Sequence, residues 1–150
     1  HLSIRRQRQM CIRDSVYIAI VSTTAQAPTE EEIRIVQEYI NTKRPVGANP
    51  VVSAAESIDV TIVCEIHKTA GYTEETVKSQ IQTDVQAHFL EIAFQSGVIS
   101  LNFFKVSNII SAVSGVSEVV DLTINGKKDS ITADYNKFFS LKGVIISVTE

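Results

Sequence analysis

The chain has 150 residues, of which 44% are hydrophobic and 21% are charged, and its formal net charge is −3 at pH 7. This composition suits a globular protein with one ordinary core or two small ones, and it excludes an intrinsically disordered chain. No apolar run approaches the ~20 residues that a membrane-spanning helix needs, so the sequence predicts no transmembrane segment.

The first fifteen residues are expected to be foreign to the fold. Residues 5–15 read like the translation of a transposase sequencing adapter, so we interpret residues 1–15 as a non-native segment. The alternative is a basic arm that binds nucleic acid or anionic lipid. The four cations of that arm are Arg5, Arg6, Arg8 and Arg13.

The remainder of the chain is acidic. Of the 14 lysines and arginines four lie in residues 1–15, and of the 17 aspartates and glutamates one does. Residues 16–150 therefore carry 10 basic and 16 acidic residues, a net charge of −6. This balance argues against a nucleic-acid partner, because phosphate binding needs clustered lysine and arginine.

A β-α-β unit is predicted at the start of this acidic part. Residues 16–21 form a continuous apolar run, which is typical of a strand buried on both faces. A capping box at Thr29 predicts a helix that begins there and ends near Thr42, with Pro45 as its stop signal. Residues 51–55 are a short apolar strand candidate. We interpret residues 16–56 as the β-α-β remnant of an upstream domain.

A strand and a long helix organise the next part of the chain. Alternating apolar and polar residues predict a strand with one buried face. Thr73 then caps an amphipathic helix whose apolar stripe is expected to pack on that strand. The buried face of the strand comprises Ile58, Val60, Ile62, Cys64 and Ile66, and the stripe comprises Val77, Ile81, Val85, Phe89 and Ile92.

Shorter elements complete an α+β domain over residues 57–150. They are a strand at 98–101, a helix capped by Ser107, a strand at 116–124, a hairpin turn at Asn125-Gly126, a strand near 130–133, a loop at 134–142 and a strand at 143–149. The order β-α-β-α-β with a C-terminal β extension predicts a ferredoxin-like, split βαβ layer of helices on a sheet.

Candidate metal ligands do not form a convincing set. Cys64 and His67 have C-x-x-H spacing, but residues three apart on a strand point to opposite faces. We therefore expect a core cysteine and an exposed histidine. Asp84 and His88 are four apart on the long helix but lack a third ligand, and a solvated helix face explains them equally well. Nothing indicates a disulfide between Cys11 and Cys64.

Catalytic motifs are equally weak. The sequence Gly126-Lys127-Lys128-Asp129-Ser130 lacks the first glycine of a phosphate-binding loop and is better explained as a hairpin turn. The carboxylates at 30–32 and 74–75 sit at helix starts, where they favour the positive end of the dipole. No serine lies in G-x-S-x-G. We therefore predict no catalytic, cofactor-binding or metal site, and hence no enzyme.

A family resemblance begins at Arg44-Pro45-Val46-Gly47-Ala48. This motif after a helix, followed by Ile58-Asp59-Val60-Thr61-Ile62, resembles the C-terminal part of baseplate J-like proteins of contractile phage tails. The later pattern agrees in Gly71-Tyr72, in Val106-Ser107-Asn108-Ile109-Ile110, in residues 119–126 and in the strand at 141–144. The proline in Asn49-Pro50-Val51 departs from the family pattern.

The resemblance implies a structural part of the baseplate wedge in the virion, assembled in the host cytoplasm. Its implied partners are other wedge and hub proteins and copies of itself in a six-fold array, with no nucleic acid, membrane or small molecule. No catalysis or cofactor follows from the family. The alternative is a small ferredoxin-like ligand-binding or regulatory module, because that fold serves both roles. An enzyme ranks third.

Overall fold

The computed structural model describes residues 2–4, 15–23, 26–95 and 97–149. The four arginines of the alternative basic arm, and Cys11, lie outside these residues. Within them the elements are β1 (Leu2–Ile4), β2 (Ser15–Ser22), α1 (Glu30–Lys43), β3 (Asn49–Ala54), β4 (Glu56–Lys68), α2 (Glu74–Ala93), β5 (Ile99–Leu101), α3 (Phe103–Ser111), β6 (Val116–Ile124), β7 (Ile131–Ala133) and β8 (Lys137–Thr149). This mixture of helices and strands confirms the predicted α+β class.

The first sheet has the order β1-β2-β3, with β1 antiparallel and β3 parallel to the central β2. The sequence analysis did not assign β1. It predicted that β3 starts at Val51, whereas the strand starts two residues earlier, at Asn49. One face of the sheet packs on α1 through Ile20, Val36 and Val52. Burial on both faces, predicted for all of β2, holds for its second half only.

The opposite face of β2 meets the other half of the molecule. Ala19 and Val21 cluster there with Ala55 and with Phe138 of β8, and all four side chains are buried. The backbone N–H of Ala55 also donates to the carbonyl of Ile20 at 2.9 Å. This small cluster joins the first sheet to the second.

The second sheet has the order β6-β4-β8, so β4 is its central strand. β6 runs antiparallel to β4 and β8 runs parallel to it. The helices α2 and α3 cover one face, with α2 over β8 and α3 over β6. The predicted contact between strand and helix is confirmed: from β4, Val60, Ile62, Cys64 and Ile66, and from α2, Val77, Ile81, Val85, Phe89 and Ile92 are all buried in one core.

Local capping explains where the helices begin. Glu32 N–H donates to Thr29 Oγ1 at 3.3 Å, and Thr29 N–H donates to the Glu32 carboxylate at 2.7 Å, which completes the predicted capping box. Thr73 Oγ1 likewise accepts from Thr76 N–H at 3.4 Å. Both predicted N-caps are therefore confirmed.

The N-cap of α3 was predicted at the wrong residue. Asn102, not Ser107, caps the helix, and its side-chain oxygen accepts from Lys105 N–H at 3.1 Å. Ser130 Oγ accepts from Phe103 N–H at 2.9 Å and satisfies a second free donor of the first turn. Ser107 lies within the helix, because capping at Asn102 starts it one and a half turns earlier.

The ferredoxin-like arrangement is not confirmed. β7 pairs with β5 in a separate two-stranded sheet, whereas the prediction joined it to β6 in a hairpin. The turn at Asn125 leads only to an isolated bridge between Ile124 and Lys127. β8 begins at Lys137, six residues before the predicted strand. Residues 137–141, which were predicted to lie in a loop, pair with residues 56–60 of β4.

Candidate interaction surface

The cysteine and histidine on β4 do not form a metal pair. Cys64 is a buried free thiol, and burial raises its pKa to about 11. His67 is half-buried rather than exposed as predicted, and its Nδ1 lies 3.0 Å from Thr149 Oγ1 on β8. The two side chains thus have unrelated environments, as the strand geometry predicts.

His88 on α2 is buried, which corrects the prediction of a solvated helix face. Its exposed fraction is 6%. Nδ1 lies 3.2 Å from the Glu91 carboxylate, whose oxygen is also 3.5 Å from Lys105 Nζ of α3. Among the described side chains, the buried Nε2 atom has no hydrogen-bond partner. Asp84 instead accepts from Gln80 at 2.8 Å and is not involved.

Burial and charge act on this histidine in opposite directions. Burial lowers the pKa of His88, because the charged imidazolium loses solvation, while the hydrogen bond to Glu91 opposes that shift. The bond to His88 and the nearby Lys105 ammonium in turn lower the pKa of Glu91. The neutral imidazole therefore donates from Nδ1 to an ionised carboxylate.

The glycine-lysine segment at 126–130 is a turn and does not present a phosphate cradle. Lys128 Nζ lies 2.6 Å from the Asp121 carboxylate, and Ser130 Oγ is used by the first turn of α3. Asn125, at φ 49°, accepts from Thr61 N–H at 2.8 Å and donates to the carbonyl of Asp59 at 3.1 Å. These contacts stabilise the junction between β6 and β4.

The loop after α1 is ordered around its arginine. Arg44 donates to the carbonyl of Ala48 at 3.1 Å, which closes the loop over residues 44–48. Val46 at the loop tip has its side chain fully in solvent. Arg44 therefore has a structural role within the loop, and the apolar tip is the part that is free to contact another molecule.

A groove runs between α2 and the outer edge of β8. Its volume is about 640 Å³, and one wall is formed by β8 residues 141–144. The other wall is the flank of α2 that lies away from α3, and it carries only uncharged side chains. That flank comprises Ser79, Gln82, Thr83, Gln86, Ala87 and Leu90.

Among the described residues that line this groove, the one charged side chain forms an ion pair. Lys142 Nζ lies 3.3 Å from the Asp59 carboxylate of β4. The charged residues of α2, among them Glu74, Lys78 and Glu91, do not line the groove. Sequence reasoning missed this feature. A helical projection of α2 shows the run of uncharged residues at 79, 82, 83, 86, 87 and 90. That the edge of β8 lies beside this run is visible only in the tertiary structure.

The sheet face opposite α2 and α3 is open to solvent in part, and Phe138 on the same face is buried against β2. Val63 of β4 and Ile145 of β8 are direct neighbours in register on this face, with exposed fractions of 39% and 57%. Polar side chains surround them, so the apolar area is a pair of residues rather than an extended patch.

Metal-binding clusters and membrane-spanning helices are absent from the described ranges. No group of three or more His, Cys, Asp or Glu side chains there is placed to hold a metal ion. None of the three described helices is both long and apolar enough to cross a bilayer.

Comparison with known proteins assigns the second half of the chain. The profile of the family described as Baseplate J-like protein C-terminal domain matches residues 58–147. Two Bacillus subtilis (strain 168) proteins are similar: YqbT, 29% identical over 123 residues, and the phage-like element PBSX protein XkdT, 26% identical over 124 residues. The matches cover 76% and 78% of this chain, and 35% of the length of each relative.

A solved structure shares the fold. A chain in the cryo-EM structure of the anti-feeding prophage (AFP) baseplate, 6-fold symmetrised, matches with a TM-score of 0.60 at 12% identity. The match covers 89% of this chain and 29% of that chain. The similarity therefore extends beyond the residues of the family match.

Proposed function

Because the chain belongs to the baseplate J-like family through its C-terminal domain, we propose that it is a structural component of a phage-tail baseplate. The family match over residues 58–147 is the observation that carries this proposal. The name of XkdT, a phage-like element protein, and the baseplate fold neighbour support the same role. The activity is assembly with other baseplate proteins and not catalysis.

The proposed location is the baseplate of a phage or phage-like tail particle. The chain spans 35% of the length of the relatives it matches, so the role of the whole protein is part of this proposal. We further propose a wedge position in a six-fold array, contacts with neighbouring wedge and hub proteins and copies of itself, and assembly in the host cytoplasm.

The proposed organisation is two units joined near residue 56. The first unit is the sheet of β1, β2 and β3 with α1, and the second is the family domain. We propose that residues 1–15 are foreign to the native protein, that 16–56 continue an upstream domain, and that 57–150 form the C-terminal domain. The cluster around Phe138 would then be the contact between the two domains.

Immunogold electron microscopy tests the location. Antibodies raised against the 150-residue chain should label the baseplate end of tail particles purified from the organism that encodes it. Antibodies against the tail tube provide the control, since they should label along the tail or not at all. Absence of label from intact and from detergent-opened particles would contradict the proposal.

The alternative function, a small ligand-binding module, has weaker support. Such modules hold their ligand in an enclosed concave pocket with converging polar groups. The groove between α2 and β8 is instead an open surface depression whose α2 wall is uncharged. Its shape suits an extended polypeptide better than a small molecule.

A further inference from the structure

Two packed helices are wider than three paired strands. Packed helices lie about 8–10 Å apart, so two of them cover roughly 20 Å. Strands are spaced about 4.8 Å apart, so three strands span only about 14 Å. Side chains of β5 and β7 fill part of the same core, and the groove beside β8 is space next to α2 that no described strand occupies.

The outer edge of β8 is unpaired at this position. β8 pairs with β4 along its length, and in the described part of the chain no strand pairs with its other side. β7 leads into β8 through residues 134–136 but pairs with β5. The groove beside residues 141–144 therefore occupies the place of a missing fourth strand, directly under the outer flank of α2.

Residues 143–149 of this edge lack the features that normally prevent strand addition. Natural edge strands are protected by lysine, proline, a bulge or a covering segment. Residues 143–149 of β8 contain no charge and no proline. The bulge and Lys142 lie immediately before them, among the residues that line the groove, and Lys142 forms an ion pair with Asp59. By contrast β3 contains Pro50 and β6 carries Glu118.

We propose that an extended strand of a neighbouring baseplate protein pairs with β8 and lies under α2, which completes a four-stranded sheet. This inference rests on the proposed function, because it names the form in which a partner binds. Main-chain hydrogen bonds to β8 supply the affinity, and alternate side chains of the strand contact the α2 flank.

The groove also defines the chemistry of that strand. Gln82, Gln86 and Leu90 offer amides and apolar surface, and Lys142 forms an exposed ion pair with Asp59. A charged side chain in the groove would lose solvation without gaining a counter-charge. The bound strand therefore presents uncharged residues, such as threonine and valine, to α2.

Peptide binding to the ¹⁵N-labelled 150-residue chain tests the inference by NMR. The probe is a capped Thr-Val-Thr-Val-Thr-Val-Thr peptide, and the control is Thr-Val-Pro-Pro-Pro-Val-Thr, whose three adjacent prolines remove the central N–H groups from both edges of the strand. The first peptide should shift the amides of residues 141–149 and the side-chain amides of Gln82 and Gln86, and the control should not.

Two matched lysine substitutions on α2 locate the site. Gln86→Lys places a charge in the groove and should weaken binding by about tenfold or more. Gln80→Lys, on the same helix but outside the groove lining, should leave the affinity unchanged within about a factor of two. Both positions are exposed, so both variants should fold.

Three results would overturn the inference. They are an absence of shifts at millimolar peptide, equal binding of the two peptides, and shifts confined to another surface. Concentration-dependent shifts at residues 141–149 without peptide would instead show that a second copy of the chain fills the edge. None of these outcomes affects the immunogold test, so the two proposals fail separately.

Discussion

Gly115 shows how a single hydrogen atom in place of a side chain permits a close contact. Its φ is +100°, and a Cβ built on it would lie 2.7 Å from Tyr72 Cγ and 2.8 Å from Val77 Cγ2. The carbonyl of Gly115 also accepts from Thr69 N–H at 2.9 Å. The glycine thus lets the turn before β6 approach the start of α2.

We predict that Gly115→Ala lowers the free energy of unfolding by at least about 2 kcal/mol, from backbone strain plus the steric contact. Urea denaturation measures the loss. Gly71→Ala is the matched control, because Gly71 has a similar φ of +95° but no atom within 4 Å of the added Cβ. Equal losses in the two variants would show that the contact with Tyr72 costs nothing.

His88 makes stability depend on pH. Its pKa is lowered from 6.5 by burial, so the unfolded chain takes up the proton at a higher pH than the folded protein does. The stability that the neutral, buried His88 contributes is complete above pH 6.5. It is lost as the pH falls through that value toward the pKa of His88 in the folded state. Acid therefore weakens the packing of α2.

The expected result is a free energy of unfolding that decreases between about pH 7.5 and pH 5.5, with a smaller decrease in His88→Leu, whose side chain cannot titrate. Urea denaturation at a series of pH values measures both slopes. The substitution also removes the unpartnered Nε2 atom from the core. If wild type and variant show the same slope, another group is responsible for the pH dependence.

The burial of His88 follows from helical spacing, which the prediction did not apply to it. Position 88 lies seven residues after Ile81 and four before Ile92, so it belongs to the buried stripe of α2. The i,i+4 pair with Asp84 instead suggested a polar face. Cys64 was predicted correctly, because the alternation along a strand is a local property.

At the scale of elements, Asn125 connects a turn to the central sheet. Its N–H donates to the carbonyl of Thr61 at 2.9 Å, and its side chain binds Thr61 N–H and the carbonyl of Asp59. The φ of 49° is one that asparagine and glycine tolerate best. The same residue that signals a turn in the sequence therefore also binds β4.

Asn125→Ala should lower the free energy of unfolding by about 2–3 kcal/mol, because it loses two hydrogen bonds and adds backbone strain. Asn125→Gly also loses the two hydrogen bonds but avoids the backbone strain. Its free energy of unfolding should therefore lie between those of Asn125→Ala and wild type. Thermal denaturation of the three proteins ranks them. A glycine variant as unstable as the alanine variant would assign the whole effect to hydrogen bonding.

Elements defined by local signals were predicted, and those defined by distant partners were not. The caps at Thr29 and Thr73 and the alternation in β4 depend on neighbouring residues, and all three predictions were confirmed. The first residues of β8, which include two lysines and a serine, resemble a loop until β4 pairs with them. The groove depends on that pairing too, so its position required the structure.

At the scale of the molecule, two successive residues of β8 serve two cores. Phe139 is buried in the large core under α2 and α3, whereas Phe138 is buried against β2 in the small cluster. Neighbouring side chains on a strand point to opposite faces, so β8 holds the two sheets together through this pair.

Phe138→Ala should therefore loosen the first sheet selectively. Truncating a buried phenylalanine costs about 3–5 kcal/mol, and hydrogen exchange should become faster at β2 and β3 amides than at those of β4 and β6. Phe139→Ala should instead accelerate exchange in β4 and β6. Uniform acceleration in the Phe138 variant would show that the two halves unfold as one unit.

The parallel pairing of β4 with β8 also determines how the family domain bears force. Tension applied between Glu56 and Thr149 pulls the two strands along their length in opposite directions, since these residues lie at opposite ends of a parallel pair. All the hydrogen bonds of the ladder must then break together, and none can be peeled away first. A particle that transmits a mechanical stroke through this domain would load its sheet in the direction in which the sheet resists most strongly.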